Sequence, residues 1–359
     1  MKKIKEFLRK KDVILSPKRY FVDAMSGMAL GLFATLLLGT ILKTIGTQAK
    51  IDFLVEMGGY AVHTSGIGMA IGIGYKLKTP PLVLFSLCSV GYAANALGGA
   101  GGPLVVFIVA VISGEIGKLV SGETKLDILV TPLVVIFVGV GLSMLIASPV
   151  GGAVSSVGDI IMWATERQPL IMGFLIGSIL GICLTLPISS AAICASLGLI
   201  GLAGGAGVAG CSAQMIGFAI FSYRDNKVGG LVSQGLGTSM LQMPNIIKKP
   251  ILFLPIILIS GINGAISSAL FGLEMNGAAI SSGMGTSGLV GQIGVYSGWV
   301  ASINSGIKTS ISFNDVFGLM MISFIIPAVL AFISAILLRK FNILKDGDLK
   351  LELGTEKNN

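Results

Sequence analysis

Two groups of polar residues stand in otherwise apolar surroundings. Thr238, Ser239, Gln242 and Asn245 form one; Glu274, Asn276, Thr286, Ser287 and Gln292 form the other. Amides and hydroxyls both donate and accept hydrogen bonds, which is what a ligand rich in hydroxyls requires. A carboxylate such as Glu274 can accept two hydroxyls at once, or it can be a wetted loop carboxylate at a helix end. His63, the chain's one histidine, stands beside Thr64 and Ser65 as a third candidate element, with a hydrogen-bonded packing role as its alternative. Asn95 and Gln214 are weaker candidates of the same kind. Lys248-Lys249 reads as the edge of a cytoplasmic surface, or as a lure for an anionic substrate or phosphorylated partner.

The elements that must position these groups announce themselves by a repeated phrase. Gly235-Leu236-Gly237-Thr238-Ser239-Met240-Leu241 recurs as Gly283-Met284-Gly285-Thr286-Ser287-Gly288-Leu289. Such residues make poor continuous spanning helices, and irregular backbone at membrane depth is tolerated only where protein buries it or it lines a wet cavity. Both phrases are therefore expected at the tips of re-entrant or broken segments around a polar site. Close helix packing through small residues is the competing explanation, but it leaves the neighbouring Asn, Gln and Pro residues without a reason.

Composition fixes the class. Of 359 residues, 53% are apolar and 12% charged, and the mean hydropathy is +0.90; soluble domains carry roughly 25% charged residues. From Gln168 to Tyr223 there is no Asp, Glu, Lys or Arg, a stretch longer than two spans of about 20 residues. The chain reads as an all-α polytopic membrane protein. Its net charge of +8 is concentrated in residues 1–19, a basic flank that the positive-inside rule places in the cytoplasm beside the bilayer; it is not a nucleic-acid signal. Cys88, Cys183, Cys194 and Cys211 lie in apolar stretches without metal-ligand spacing and read as packing residues. No nucleotide-binding loop, dinucleotide fingerprint or HExxH pattern is present, so the sequence points to no cofactor, no metal and no catalytic set.

In order, residues 1–19 read as a basic amphipathic N-terminus, 20–340 as a membrane-embedded domain and 341–359 as a flexible cytoplasmic tail. The expected spans are 21–42, 53–75, 80–97, 104–120, 128–147, 170–186, 188–202, 211–223, 251–273 and 316–338, with an interfacial helix over 149–167 and glycine breaks at 98–103 and 203–210. Ten spans put both termini inside. At an offset of 106 residues, Thr79, Pro81, Cys88 and Gly98 to Gly101 resemble Thr185, Pro187, Cys194 and Gly204 to Gly207, which suggests a parallel duplication.

From Pro244-Asn245-Ile246-Ile247-Lys248-Lys249-Pro250-Ile251-Leu252-Phe253-Leu254-Pro255 the chain resembles the membrane-embedded IIC permease domain of the bacterial phosphotransferase system. The likeness covers residues 15–340 and is to the IIC-like subgroup that includes the perfringolysin regulator of clostridia. It implies a homodimeric sugar permease of the bacterial cell membrane, with ten spans, two re-entrant hairpins and an elevator-like transport domain. It also implies a separate IIB protein, whose phosphocysteine phosphorylates the sugar as it enters, docking on the cytoplasmic face near Lys248 and Lys249. The chain departs from the family pattern where an Asn-Glu-Pro would fall near Gly237-Thr238-Ser239, and only His63 could serve as the family's site histidine. Those departures leave coupled phosphorylation, and with it enzymatic activity, open. They favour two alternatives: a membrane sensor that binds such a ligand without transport, and an ion-coupled transporter of small organic anions.

Overall fold

The computed structural model describes residues 2–351, which divide into two compact units, residues 2–152 and 153–351. The described residues are helical throughout, without a named strand. Six of their helical stretches are long and apolar enough to cross a membrane: Arg19–Ala49, Pro81–Val120, Asp127–Thr165, Gly201–Phe221, Pro250–Ala269 and Phe313–Lys340.

The first unit opens with α1 (Lys2–Lys10) and a reversal at Asp12, whose φ is +54°. There follow α2 (Arg19–Ala49), α3 (Asp52–His63), α4 (Ser65–Lys76), α5 (Pro81–Gly98) and α6 (Gly102–Val120). The expected second span is thus two helices that meet at Thr64. The expected break at 98–103 is present: Gly99 takes φ +51°, and α6 runs back along α5 with Gly117 against Val83 and Gly98 against Val105. Charged groups tie the segment after α1 to this hairpin. Arg19 donates to both carboxylate oxygens of Asp12 (3.1 and 2.5 Å) and to the Leu77 carbonyl (2.7 Å). Lys118 donates to the Asp12 and Leu77 carbonyls and pairs with Glu115 at 3.1 Å. Lys118 and Glu115 are both buried, and each would be costly there without the other. The Arg19 hydrogen bond holds the Asp12 carboxyl below the usual range, although burial opposes it.

α7 (Asp127–Thr165) replaces the expected span and interfacial helix with one continuous helix containing Pro132 and Pro149, and the division between the units falls within it. The second unit continues with α8 (Pro169–Thr185), α9 (Ser190–Leu197), α10 (Gly201–Phe221), α11 (Tyr223–Val232), α12 (Met243–Lys248), α13 (Leu254–Ala269), α14 (Val290–Asn304) and α15 (Phe313–Lys340). Helices α8, α10 and α13 pack as a three-helix core with almost no space between backbones. A Cβ on Gly210 would lie 2.2 Å from the Gly177 carbonyl oxygen, and one on Gly205 would lie 1.8 Å from that of Leu273.

This packing overturns two expectations. The run Gly204–Gly207 is not a break but the buried interior of α10, because these glycines let neighbouring backbone approach. The break falls earlier, at Gly198–Ile200, where Gly198 takes φ +60° and Ile200 is extended. Consequently the expected span 188–202 contains only the eight-residue α9, a rise of about 12 Å.

Residues 341–351, placed by composition in a flexible tail, are folded against the second unit, with Leu344 and Leu349 in a core cluster beside Phe221, Ile246 and Leu252. The rest of the expected tail, 352–359, lies outside the described residues.

Gly205→Ala is expected to destabilise the protein by about 1–3 kcal/mol through overpacking. Gly151→Ala, in a helix with nothing within 4 Å of its Cβ, should be neutral or stabilising. Thermal unfolding of the two variants in detergent would check the difference.

Candidate functional site: two hairpin tips and a helix end

Three chain interruptions meet in the second unit. The first is the end of α8, where Thr185 is followed by extended Leu186 and by Pro187. The second is the first glycine phrase. Helix α11 passes through a π turn (Ser233–Gly237) and stops at Thr238, which is extended at φ −155° and ψ 140°. The Thr238 hydroxyl oxygen accepts from the Met240 amide at 3.2 Å, an N-cap that starts the turn Ser239–Gln242 leading into α12. The third is the second phrase. Gly285, Gly288 and Leu289 have positive φ and turn the chain into α14. The Gly291 amide closes the turn on the Gly285 carbonyl at 3.0 Å. Residues 276–281 lie against 294–298 with glycine-limited spacing, so this segment is a hairpin with its tip at 285–290.

The two repeated phrases touch. Thr286 donates its hydroxyl to the Gly235 carbonyl at 2.5 Å, and both Thr286 and Gly235 are buried. Gly283 is anchored to the start of α9, where Ser190 donates to its carbonyl at 2.7 Å. Beside this contact the Thr185 and Ser239 hydroxyls lie 2.8 Å apart, and Thr185 is 3.1 Å from Gln214 Oε1. Gln292 donates to Ser212 (3.2 Å) and to Ser323 (2.9 Å). Three buried glutamines around the tips each keep one polar atom without a hydrogen-bond partner: Nε2 of Gln214 and Oε1 of Gln234 and Gln292. Buried polar atoms are nearly always partnered, so this neighbourhood offers one donor and two acceptors to whatever enters it.

The sequence candidates distribute unevenly over this arrangement. Thr238, Ser239, Thr286 and Ser287 are buried at the tips. Gln242 and Asn245 are also buried, at the root of the first tip, where Asn245 donates to Gln242 at 2.9 Å. Glu274 and Asn276 are exposed, bonded to each other at 2.8 Å, and line an open cavity of about 820 Å³ with Trp299, Lys308 and Asp315. His63 is exposed at the end of α3 in the other unit. Lys248 is exposed; Lys249 pairs with Asp348 at 2.7 Å. Sequence reasoning passed over Thr185 and Ser212 and ranked Gln214 low. The Thr185-x-Pro187 match to Thr79-x-Pro81 was the one signal that could have raised Thr185.

A family model described as "Phosphotransferase system, EIIC" matches residues 22–351, nearly the whole chain. The protein belongs to this family. Membership makes it a multi-pass membrane protein of the transport arm of the phosphotransferase system. No curated protein and no solved structure matches the chain. Within this EIIC chain the tips contain no carboxylate, and their hydrogen-bonding capacity comes from neutral amides and hydroxyls.

Thr286→Val keeps shape and removes the donor to Gly235. It leaves a buried carbonyl unpaired, at a cost of about 1–3 kcal/mol. Amide exchange at 235–240 is expected to accelerate in this variant and to remain slow in Thr286→Ser.

Proposed function

We propose that the protein is a sugar permease that binds a neutral sugar or similar polyol where the two glycine-phrase tips meet the end of α8. The observation that carries this reading is the buried, unpaired amide nitrogen of Gln214, whose carbonyl side meets the paired hydroxyls of Thr185 and Ser239, with two further unpaired amide oxygens on Gln234 and Gln292. A polyol supplies both donors and acceptors, the mixture that the unpaired atoms of Gln214, Gln234 and Gln292 call for. A metal or a compact anion would not use that mixture.

Charge supports a reading with the tips at membrane depth. Arg224 and Lys227 at one root of the first hairpin and Lys248 and Lys249 at the other belong on the cytoplasmic side. The second hairpin then enters from the outer side, because α13 separates the two. The expected ten spans count α8 and α9 as two; with α9 rising only about 12 Å against a core of about 30 Å, we read α8–α9 as a third inward fold. Tips that meet from opposite sides form a closed barrier, and alternating access follows when one tip withdraws. The bacterial cell membrane, both termini inside, homodimerisation and docking of a separate IIB protein near Lys248 complete this reading by family analogy. Glu274 and Asn276 line the outer mouth in this arrangement, and His63 has no part in it.

The test is a thermal-shift screen of purified protein against sugars, polyols, sugar phosphates and small organic anions. A ligand at about 100 times its Kd stabilises the folded state by roughly 2.7 kcal/mol. A neutral sugar is expected to raise Tm in the wild type and to lose most of that shift in Ser239→Ala and Gln214→Leu. Stabilisation by organic anions alone would overturn the proposal. Sugar uptake in proteoliposomes then separates a permease from a sensor, since a sensor binds without uptake.

A further inference from the structure

The chain after α15 turns back and crosses the root of the first hairpin. Its backbone is held by side chains from both legs. On the entering leg, Asp225 accepts from the amides of Gly347 (3.0 Å) and Leu349 (3.1 Å). Asn226 grips the next residues in two directions, donating to the Leu349 carbonyl (2.7 Å) and accepting from the Leu351 amide (2.8 Å). On the returning leg, Gln242 donates to the Leu349 carbonyl (3.0 Å) and Asn245 to the Lys350 carbonyl (3.0 Å). Lys249 pairs with Asp348, and Leu349 is fully buried against the hairpin and its neighbours. Burial tends to raise the Asp348 carboxyl, but Lys249 and the Lys345 amide outweigh it and hold it below its ordinary value.

One consequence is stoichiometric. An amide NH₂ has two hydrogens, and Asn245 gives one to Gln242 and one to Lys350. Gln242 in turn gives a hydrogen to Leu349 and accepts from Asn245. While residues 346–351 are docked, both hydrogens of Asn245 are committed, and Gln242 has one hydrogen and its carbonyl oxygen engaged. The same six residues bridge the two legs at their open end, so the hairpin cannot spread there without breaking these bonds.

We propose that residues 346–351 are a latch that locks the first hairpin and withholds Gln242 and Asn245, so that undocking the latch is a required step for the hairpin to move. The regulatory consequence rests on the permease reading; the mechanical one does not. Asp348 is the only side chain of the latch that pairs with the hairpin's charge, so a partner presenting an anionic group to Lys249 would compete with it directly.

Two altered forms of the full chain test this. Asp225→Ala/Asn226→Ala removes four of the latch's hydrogen bonds. Lys249→Cys/Asp348→Cys, joined by a short cleavable thiol cross-linker in a Cys88→Ala background, fixes the latch; the other native cysteines are buried. Amide exchange in 233–248 is expected to be at least tenfold faster in the first form than in the wild type. Sugar uptake should fall at least tenfold in the cross-linked form and return when the linker is cleaved. Unchanged exchange in the first form, or wild-type uptake in the cross-linked form, would overturn the latch. If no form binds a sugar, the permease reading fails, and the exchange comparison still decides whether the latch exists.

Discussion

A helix that ends inside an apolar body leaves up to four backbone carbonyls or amides without partners, and no water is there to receive them. The second unit meets this constraint by making three interruptions satisfy one another. Thr286 serves the carbonyl of Gly235, Thr238 caps its own restart, and Ser190 serves the carbonyl of Gly283. Each repair uses a hydroxyl, the smallest side chain able to bond backbone without occupying much volume. The polar character of the centre thus follows first from the need to break helices there. What the repair leaves over is unused hydrogen-bonding capacity on Gln214, Gln234 and Gln292, on which the proposed binding site rests.

Bringing three breaks together requires the supporting helices to be close. That is what the glycines of α8, α10 and α13 accomplish: backbones are in contact at Gly177–Gly210 and Gly173–Gly264, and α10 also meets the chain beyond α13 at Gly205–Leu273. A side chain at any of these contacts would force neighbouring backbone apart. Hydrogen bonds weaken steeply with poor geometry, so a core substitution that spreads these backbones would weaken the tip contacts as well as the fold.

This division explains what the sequence revealed. The repeated glycine phrases were legible because Thr-Ser flanked by glycines is incompatible with an uninterrupted helix, and both do interrupt the chain. The run at Gly204–Gly207 carries similar composition with the opposite meaning, since helical glycine and turn glycine differ only in what lies opposite. Leu273 and Gly177 are distant in sequence, and no local pattern announces them. Thr185 was obscured for a related reason: it ends an uncharged, mostly apolar helix and becomes notable only when Gln214 and Ser239 arrive beside it. The folding of residues 341–351 was hidden more thoroughly. Asp225, Asn226, Gln242 and Asn245 recognise backbone there, and backbone leaves no mark in composition. Charged residues after a span, such as Asp225, read simply as a wetted loop.

The absence of a carboxylate from the tips bears on the chemistry as well as on recognition. Phosphorylating a sugar hydroxyl requires that its proton be accepted, and general bases are titratable groups within hydrogen-bond reach of the hydroxyl. Thr185, Ser239, Thr286 and the three glutamines can orient a hydroxyl but are poor proton acceptors near neutral pH. A carboxylate placed among them would also carry a large desolvation cost without a cation to pair with it. The tip cluster is therefore suited to hold and release a neutral ligand. If the proposed permease couples uptake to phosphorylation, the proton must pass to a group from outside the cluster. In the permease we propose, selectivity belongs to the buried amides and hydroxyls, while the timing of access belongs to the chain segment that bridges the hairpin's root.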